Sequence, residues 1–355
     1  MHFKEYIATL PPYKPPTLIR KQPAGMVKLS SNENPLGPSP RALAAIQAAA
    51  AQVHRYPDAG SLALREAIAT RFDLTPNMVL CTNGSDEMVF LLALGFLREG
   101  DEAVMAGGSF ISYYLRTIEM GGVAVRVPLR DFTHDLDAMA AAVTNRTRLL
   151  FLCNPNNPTG TINSAEQVRQ LLERVPEDVL IVADEAYIEF VDQPGYPDLL
   201  AELRAQRKNL IVLRTFAKIY GLAGLRLGYA FAHPELIGYL ERARPTFNVN
   251  AIAQAAGVAA LGDEQHVERS RAHATACRRL FMRELQARGL RPIPSATNFI
   301  AVQVGDDMQV ASALMDHGFT VTPLSGWGLP GYIRISFGAD DENARFFAAL
   351  SGIIH

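Results

Sequence analysis

From about residue 78 onward the chain alternates short apolar runs with longer amphipathic stretches. VAVRVP, RLLFLCN, DVLIVAD, NLIVLRT and RLGYAFA read as strands, and EMVFLLALGFL reads as a helix. Several of these runs are apolar on both faces, which predicts strands covered on both sides by helices in a mostly parallel sheet. Ahead of them, SPRALAAIQAAAAQV predicts a helix with Ser39 as N-cap and Pro40 at its first position, and a second helix starts near Ser61. After about residue 245 the texture changes to a long helix from Asp263 to Arg288, the strand FIAVQV, a helix near Met308 and the strand YIRIS. A last helix runs through ENARFFAALSGII. The predicted class is α/β, with a three-layer, mostly parallel sheet in a large domain over residues 31–245 and a smaller α+β domain over 246–355. Residues 1–30, with prolines at 11, 12, 15, 16 and 23, read as an extended arm with no regular helix.

Charge narrows the choice of partners. The 34 basic side chains nearly balance 36 acidic ones, and no block of like charge resembles a phosphate-backbone footprint, so nucleic acid is not expected. Cys81, Cys153 and Cys277 lie far apart and show no CxxC spacing, which argues against a disulfide framework and a structural zinc and fits a reducing cytoplasm. The start MHFKEYIATLPPYKPP has no apolar run of signal-peptide length, and no stretch of membrane-spanning length follows. No metal site and no membrane partner are expected.

Ligands of open α/β sheets bind outside the carboxyl ends of the strands, so the polar residues that follow each strand carry the candidate chemistry. NGSDE (83–87) follows VLCT, NPNNPTG (154–160) follows LLFLC, DEAY (184–187) follows VLIVA, TFAK (215–218) follows LIVLR, and Arg226 comes eight residues after Lys218. Each has an ordinary reading taken singly: a turn, a capped strand end, a solvated lysine, an ion-pair partner, or a helix start with Ser85 as N-cap and Asp86 and Glu87 favoured by the dipole. Together they describe one ligand. A helix N-terminus offers amide donors to a phosphate, Arg226 a bidentate clamp and Thr215 a hydroxyl. Lys218 can form an imine, Asp184 can hold a ring nitrogen protonated, and Asn157 and Tyr187 can hydrogen-bond a phenolic oxygen. That ligand is pyridoxal 5'-phosphate.

The chain resembles the fold-type I pyridoxal-phosphate aminotransferases, and among them the histidinol-phosphate aminotransferases. The resemblance spans nearly its whole length through LSSNENPLGPSP, RYPD, NGSDE, NPNNPTG, DEAY, RTFAKIYGLAGLRLGY and IRISFG. It implies Lys218 as the Schiff-base lysine, Asp184 as the pyridinium partner, Asn157 and Tyr187 as partners of the phenolic oxygen, and Ser85, Thr215 and Arg226 as phosphate ligands within the Gly84–Ser85–Asp86 helix start. Phe110, in GGSFISYY, is implied as the ring stacked on the cofactor. The resemblance further implies a homodimer with shared active sites, in which Tyr56 reaches the neighbour's cofactor phosphate and Tyr13 the neighbour's substrate pocket. For Tyr13, a packing anchor in the proline-rich segment is the competing reading. The implied reaction is ping-pong transamination between an amino donor and a 2-oxo acid such as 2-oxoglutarate, with Lys218 moving the proton.

Three positions depart from the family pattern. Arg334 in YIRIS matches the arginine that grips the anionic end of the substrate, yet Thr322 stands where a second arginine is usual. Loss of a charge-assisted bidentate contact costs roughly 1.5 to 3 kcal/mol of binding unless replaced. Ala217 stands where serine is frequent and Gly108 where proline is frequent. The competing expectations are therefore an aminotransferase of histidinol phosphate, one of aromatic or other amino acids, and a decarboxylase of the O-phosphothreonine type. A ligand sensor fused to a DNA-binding module is not expected, since no such module is visible. A Rossmann dehydrogenase is disfavoured, because GLAGLRLG lacks the GxGxxG spacing.

Overall fold

The computed structural model describes residues 2–10 and 25–354. Among the described residues thirteen strands form three sheets: β1 (Val27–Lys28), β2 (Val79–Thr82), β3 (Glu102–Ala106), β4 (Val123–Val127), β5 (Thr147–Cys153), β6 (Leu180–Asp184), β7 (Leu210–Thr215), β8 (Gly228–Ala232), β9 (Arg291–Ile293), β10 (Phe299–Gln303), β11 (Phe319–Thr320), β12 (Thr322–Pro323) and β13 (Tyr332–Ser336). The large sheet has the order β2-β8-β7-β6-β5-β3-β4, in which only β8 runs antiparallel to its neighbours. Its central strands β5, β6, β7 and β8 are buried almost throughout, as their unbroken apolar runs require. Apolar clusters fill both faces of this sheet.

The four-stranded antiparallel sheet β12-β13-β10-β9 packs with the helices Glu264–Ala287, Asp307–Asp316 and Asp340–Ser351 around a second core. At its centre Phe281 is fully buried, with ring centroids 4.9 Å from Phe337 and 4.7 Å from Phe347. The Ala251–Leu261 helix lies C-terminal to the change of texture at residue 245. It nevertheless buries Ala253, Ala256 and Ala260 in the core beneath the large sheet, because small side chains let it approach closely.

Two local expectations are corrected. Glu5–Ala8 forms a single helical turn in the segment read as wholly extended; it precedes the first proline, so no missing amide opposes it. The helix at NGSDE takes Gly84 as its N-cap, at φ 80°, and Ser85 is the first helical residue. Ser39 does cap the Pro40–Ala50 helix, accepting from the Ala42 amide. Residues 11–24 of the arm, which carry its prolines, lie outside the described residues. Strand β1 pairs in parallel with β11, and Leu29 continues the contact by donating to Thr320 O and accepting from Ser336 N, both at 2.8 Å.

Replacing Phe281 by alanine empties the middle of the smaller core. Urea denaturation of Phe281→Ala should show a loss of about 3 to 5 kcal/mol, the usual cost of a buried Phe→Ala cavity; a loss below about 1 kcal/mol would mean the aromatic cluster is not tightly packed.

Candidate active site

The parallel register brings three strand ends to one line: Cys153 of β5 is level with Asp184 of β6, and Asp184 with Leu213 of β7. Because β8 runs the other way, its first residue, Gly228, pairs at this same edge with Thr82 and Thr215. Into the edge opens a cleft of about 290 Å³. Gly84, Ser85, Asp86, Phe110, Asn157, Asp184, Tyr187, Thr215, Lys218, Arg226 and Arg334 all line it. With Ser30 also in the lining, segments separated by 304 residues in the chain thus share one site.

Each turn that delivers these residues is fixed locally. Asn156 donates to Gly108 O at 3.0 Å and to Thr159 Oγ1 at 2.8 Å, so the NPNNPTG turn is fastened to the loop that carries Phe110. Gly108 sits at φ 134°, a value that the ring of proline cannot reach. Beyond β7, the Ala217 amide donates to Thr215 Oγ1 at 3.0 Å and the Gly221 amide to Lys218 O at 3.0 Å, which shapes the turn around the lysine. Behind this edge Glu185 accepts from Arg214 Nε at 2.9 Å and Nη2 at 2.8 Å, both side chains buried, with the guanidinium over the Phe72 ring at 4.8 Å. This ion pair ties the residue after Asp184 to the strand that leads to Lys218.

Asp184 lies on the floor of the cleft. Its Oδ2 accepts from the Tyr113 hydroxyl at 2.6 Å and its Oδ1 from the Ala186 amide at 3.1 Å. Burial raises its pKa above the ordinary carboxylate value, and those two donors and the charge of Lys218 oppose the rise. Lys218 Nζ donates to Ser31 O at 3.0 Å and lies 5.6 Å from the Tyr187 ring centroid. Desolvation in the cleft, aided by the charge of Arg334, lowers its pKa to about 7. Tyr187 OH accepts from Asn32 Nδ2 at 2.9 Å.

The opposite wall is cationic. Arg334, 5% exposed, donates to Asn157 Oδ1, to Ser30 O at 2.7 Å and to Thr322 Oγ1 at 3.2 Å, while its buried Nε has no partner. Arg226 reaches the N-terminus of the Ser85–Phe96 helix; a Cβ built on Gly84 would stand 2.6 Å from its Nη2 and push the guanidinium aside, and the φ of +80° there also favours glycine. Asp86 is taken up by Arg116 at 2.7 Å. Lys218, Arg226 and Arg334 therefore face the cleft with Asp184 as their one free counter-charge among its described lining residues. Such a site favours an anion that also carries a group able to react with an amine.

Two of the sequence-predicted residues, Tyr56 and Thr322, stand outside the cleft lining. Tyr56 is 83% exposed and stacks on Phe247 at 4.6 Å, outside the cleft of its own chain. Thr322 is in the wall behind Arg334, where it donates to Ser30 O at 2.8 Å. Tyr13 lies outside the described residues. Sequence reasoning missed Tyr113, Asn32, the Ser30 and Ser31 carbonyls and Trp327. Tyr113 is three residues beyond Phe110, so it opens the same helix; that spacing was the available signal.

The comparisons with known proteins agree with this geometry. The family described as "Aminotransferase class I and II" matches residues 24–350. The chain belongs to that family. It is 44% identical to the histidinol-phosphate aminotransferase of Anaeromyxobacter sp. (strain Fw109-5), covering 98% of both chains. It is 43% identical to that of Moorella thermoacetica, covering 99% of this chain and 92% of the relative. Among solved structures, the histidinol-phosphate aminotransferase from Sinorhizobium meliloti in complex with pyridoxal-5'-phosphate superposes with a TM-score of 0.90 at 31% identity, covering 99% of this chain and 97% of that one. The aminotransferase fold thus extends over the whole described chain.

Only the neutral lysine amine is nucleophilic. In ligand-free protein the rate at which Lys218 captures a small aromatic aldehyde, trapped by borohydride reduction, should climb as the pH rises through about 7 and level off above it. A midpoint near the free-lysine value of about 10.4 would show that the cleft does not depress this amine.

Proposed function

We propose that this protein is a pyridoxal-phosphate-dependent aminotransferase whose amino donor is histidinol phosphate and whose acceptor is a 2-oxo acid such as 2-oxoglutarate. The observation that carries the reading is the convergence of an amine lowered to about 7, a buried carboxylate and two further cations in one cleft at the strand ends. The names of the relatives at 43 to 44% identity support the donor.

The residues present fit the cofactor. The N-terminus of the Ser85–Phe96 helix, the overlying Arg226 and the Thr215 hydroxyl suit a phosphate. Asp184 suits a cationic ring nitrogen, the Phe110 ring suits an aromatic face, and Asn157 and Tyr187 suit a phenolic oxygen. When bound, pyridoxal phosphate supplies an aldehyde carbon for amines and a ring that takes up the electrons released at the donor carbon. Lys218 Nζ would hold the aldehyde and, as a free amine, would move the proton at that same atom; a pKa near neutrality suits both directions of transfer. Tyr113 holds Asp184 by its hydroxyl and is itself held by stacking on Phe151 at 4.5 Å. Arg334 is oriented by Asn157, Ser30 and Thr322 before any substrate arrives, so little ordering cost remains when it grips the donor's anionic end.

The proposed assembly is a cytoplasmic homodimer. Tyr56 and Phe247 support it, since they form an exposed aromatic pair, and Val53 and Leu62 nearby in sequence are also more than half exposed. A second reading, an aromatic amino-acid aminotransferase, is favoured by one specific feature: Thr322 supplies a hydroxyl instead of a second cation, and that hydroxyl is spent on Ser30.

A single half-reaction separates the two. Cofactor-loaded protein mixed with histidinol phosphate, without any keto acid, is expected to convert fully to the pyridoxamine phosphate form, followed by its absorbance. No conversion, in a preparation that responds to phenylalanine, would replace the first reading with the second. Thr322→Arg should strengthen use of histidinol phosphate by about tenfold or more, since a bidentate charged contact contributes roughly 1.5 to 3 kcal/mol; an unchanged KM would show that another group already holds the phosphate.

A further inference from the structure

The chain contains one tryptophan, Trp327, and the fold spends it on the cleft wall. Its ring lies 5.4 Å from the Arg334 guanidinium and 6.4 Å from the Phe110 ring, tilted by 36° to the latter. Phe299 approaches the guanidinium at 5.5 Å. The anion-gripping group is therefore bordered by aromatic faces, with the Trp327 ring forming part of the cleft wall beside it.

The loop that presents Trp327 is built to hold it. Leu324 N donates to Tyr332 O at 2.9 Å, Trp327 N to Leu324 O at 2.9 Å and Leu329 N to Leu324 O at 3.0 Å, with Gly328 at φ 81° closing the turn. Asp307, 4% exposed, fastens the loop at both ends: it accepts from Ser325 N at 2.8 Å, Ser325 Oγ at 2.6 Å and Gly331 N at 3.4 Å. A half-buried tryptophan with this much support is in excess of what packing needs, because the cluster behind it consists of only Ile293, Ala301 and Leu324 as fully buried members.

We infer that Trp327 is a specificity-determining residue that favours amino donors bearing a planar ring, imidazole or benzene, over aliphatic and acidic ones. The inference rests on the aminotransferase reading above. Physically, a flat donor side chain can lie against the Trp327 ring, a contact that a flexible aliphatic chain does not reproduce, and Arg334 beside that ring would hold the anionic end.

The test uses cofactor-loaded enzyme and its variants Trp327→Ala and Trp327→Phe in half-reactions with histidinol phosphate, phenylalanine and glutamate. Trp327→Ala should lower kcat/KM for the two ring donors by about tenfold while changing glutamate by less than about threefold, and Trp327→Phe should restore most of the ring preference. Equal losses for all three donors would mean that Trp327 only supports Arg334, and an unchanged ratio would mean that it selects nothing; either overturns the inference. A second readout needs no turnover. Emission from this single tryptophan should be quenched by 3-phenylpropionate at concentrations where glutarate has no effect, and equal response to both acids would also overturn the inference. If the native enzyme reacts with no donor at all, the aminotransferase reading falls, and the fluorescence comparison still decides whether the Trp327 wall prefers rings.

Discussion

A carboxylate taken fully out of water is costly unless donors and cations surround it. Asp184 is such a group, and much of the site can be derived from the need to accommodate it. Its two oxygens are met by a tyrosine hydroxyl and a backbone amide, and the three cations that share the cleft leave a net positive field around it. Lys218 feels the opposite side of the same balance: desolvation makes its charge expensive, so the amine spends more time neutral and nucleophilic than a surface lysine does. One buried anion among several cations makes a site that is electrically incomplete until an anionic ligand arrives.

The scaffold supports this balance with a second buried charge pair one layer back. Glu185 and Arg214 neutralise each other between aromatic rings, directly beside the strand ends that bear Asp184 and Lys218. Breaking one partner of such a pair is far more disruptive than never having had it, so the two strands are held in register by chemistry that takes no part in binding. The division of labour is clear: the inner pair fixes geometry, and the outer charges meet the ligand.

Much of this was legible in the sequence, for a physical reason. Strands buried on both faces must be continuously apolar, so β5, β6 and β7 announced themselves, and the polar residues that follow them had to lie at the ligand-binding edge. Asn157, Asp184, Thr215 and Lys218 were found in that way. Tyr113 and Asn32 were not, because a tyrosine in an amphipathic helix and an asparagine in a polar loop have ordinary local explanations; only the fold brings Tyr113 to Asp184 and Asn32 to Tyr187. Trp327 was hidden for the same reason, in a glycine-rich loop whose shape is set by Asp307 from another helix. The one-turn helix at Glu5–Ala8 was obscured by the prolines that follow it.

The segment around Ser30, just after β1, has a consequence for how the molecule comes into being. Its carbonyls receive Lys218 and Arg334, and Asn32 exchanges hydrogen bonds with Ser336 across a separation of 304 residues. Contacts so distant along the chain are among the last a folding polypeptide can make, because closing such long loops carries the largest entropic cost. During synthesis the large sheet can assemble while β13 is still within the ribosome, with both reactive edges waiting. The cleft is complete only when Arg334 and Ser336 of β13 reach the segment that follows β1, so its anion-gripping wall is the last part of the site to form.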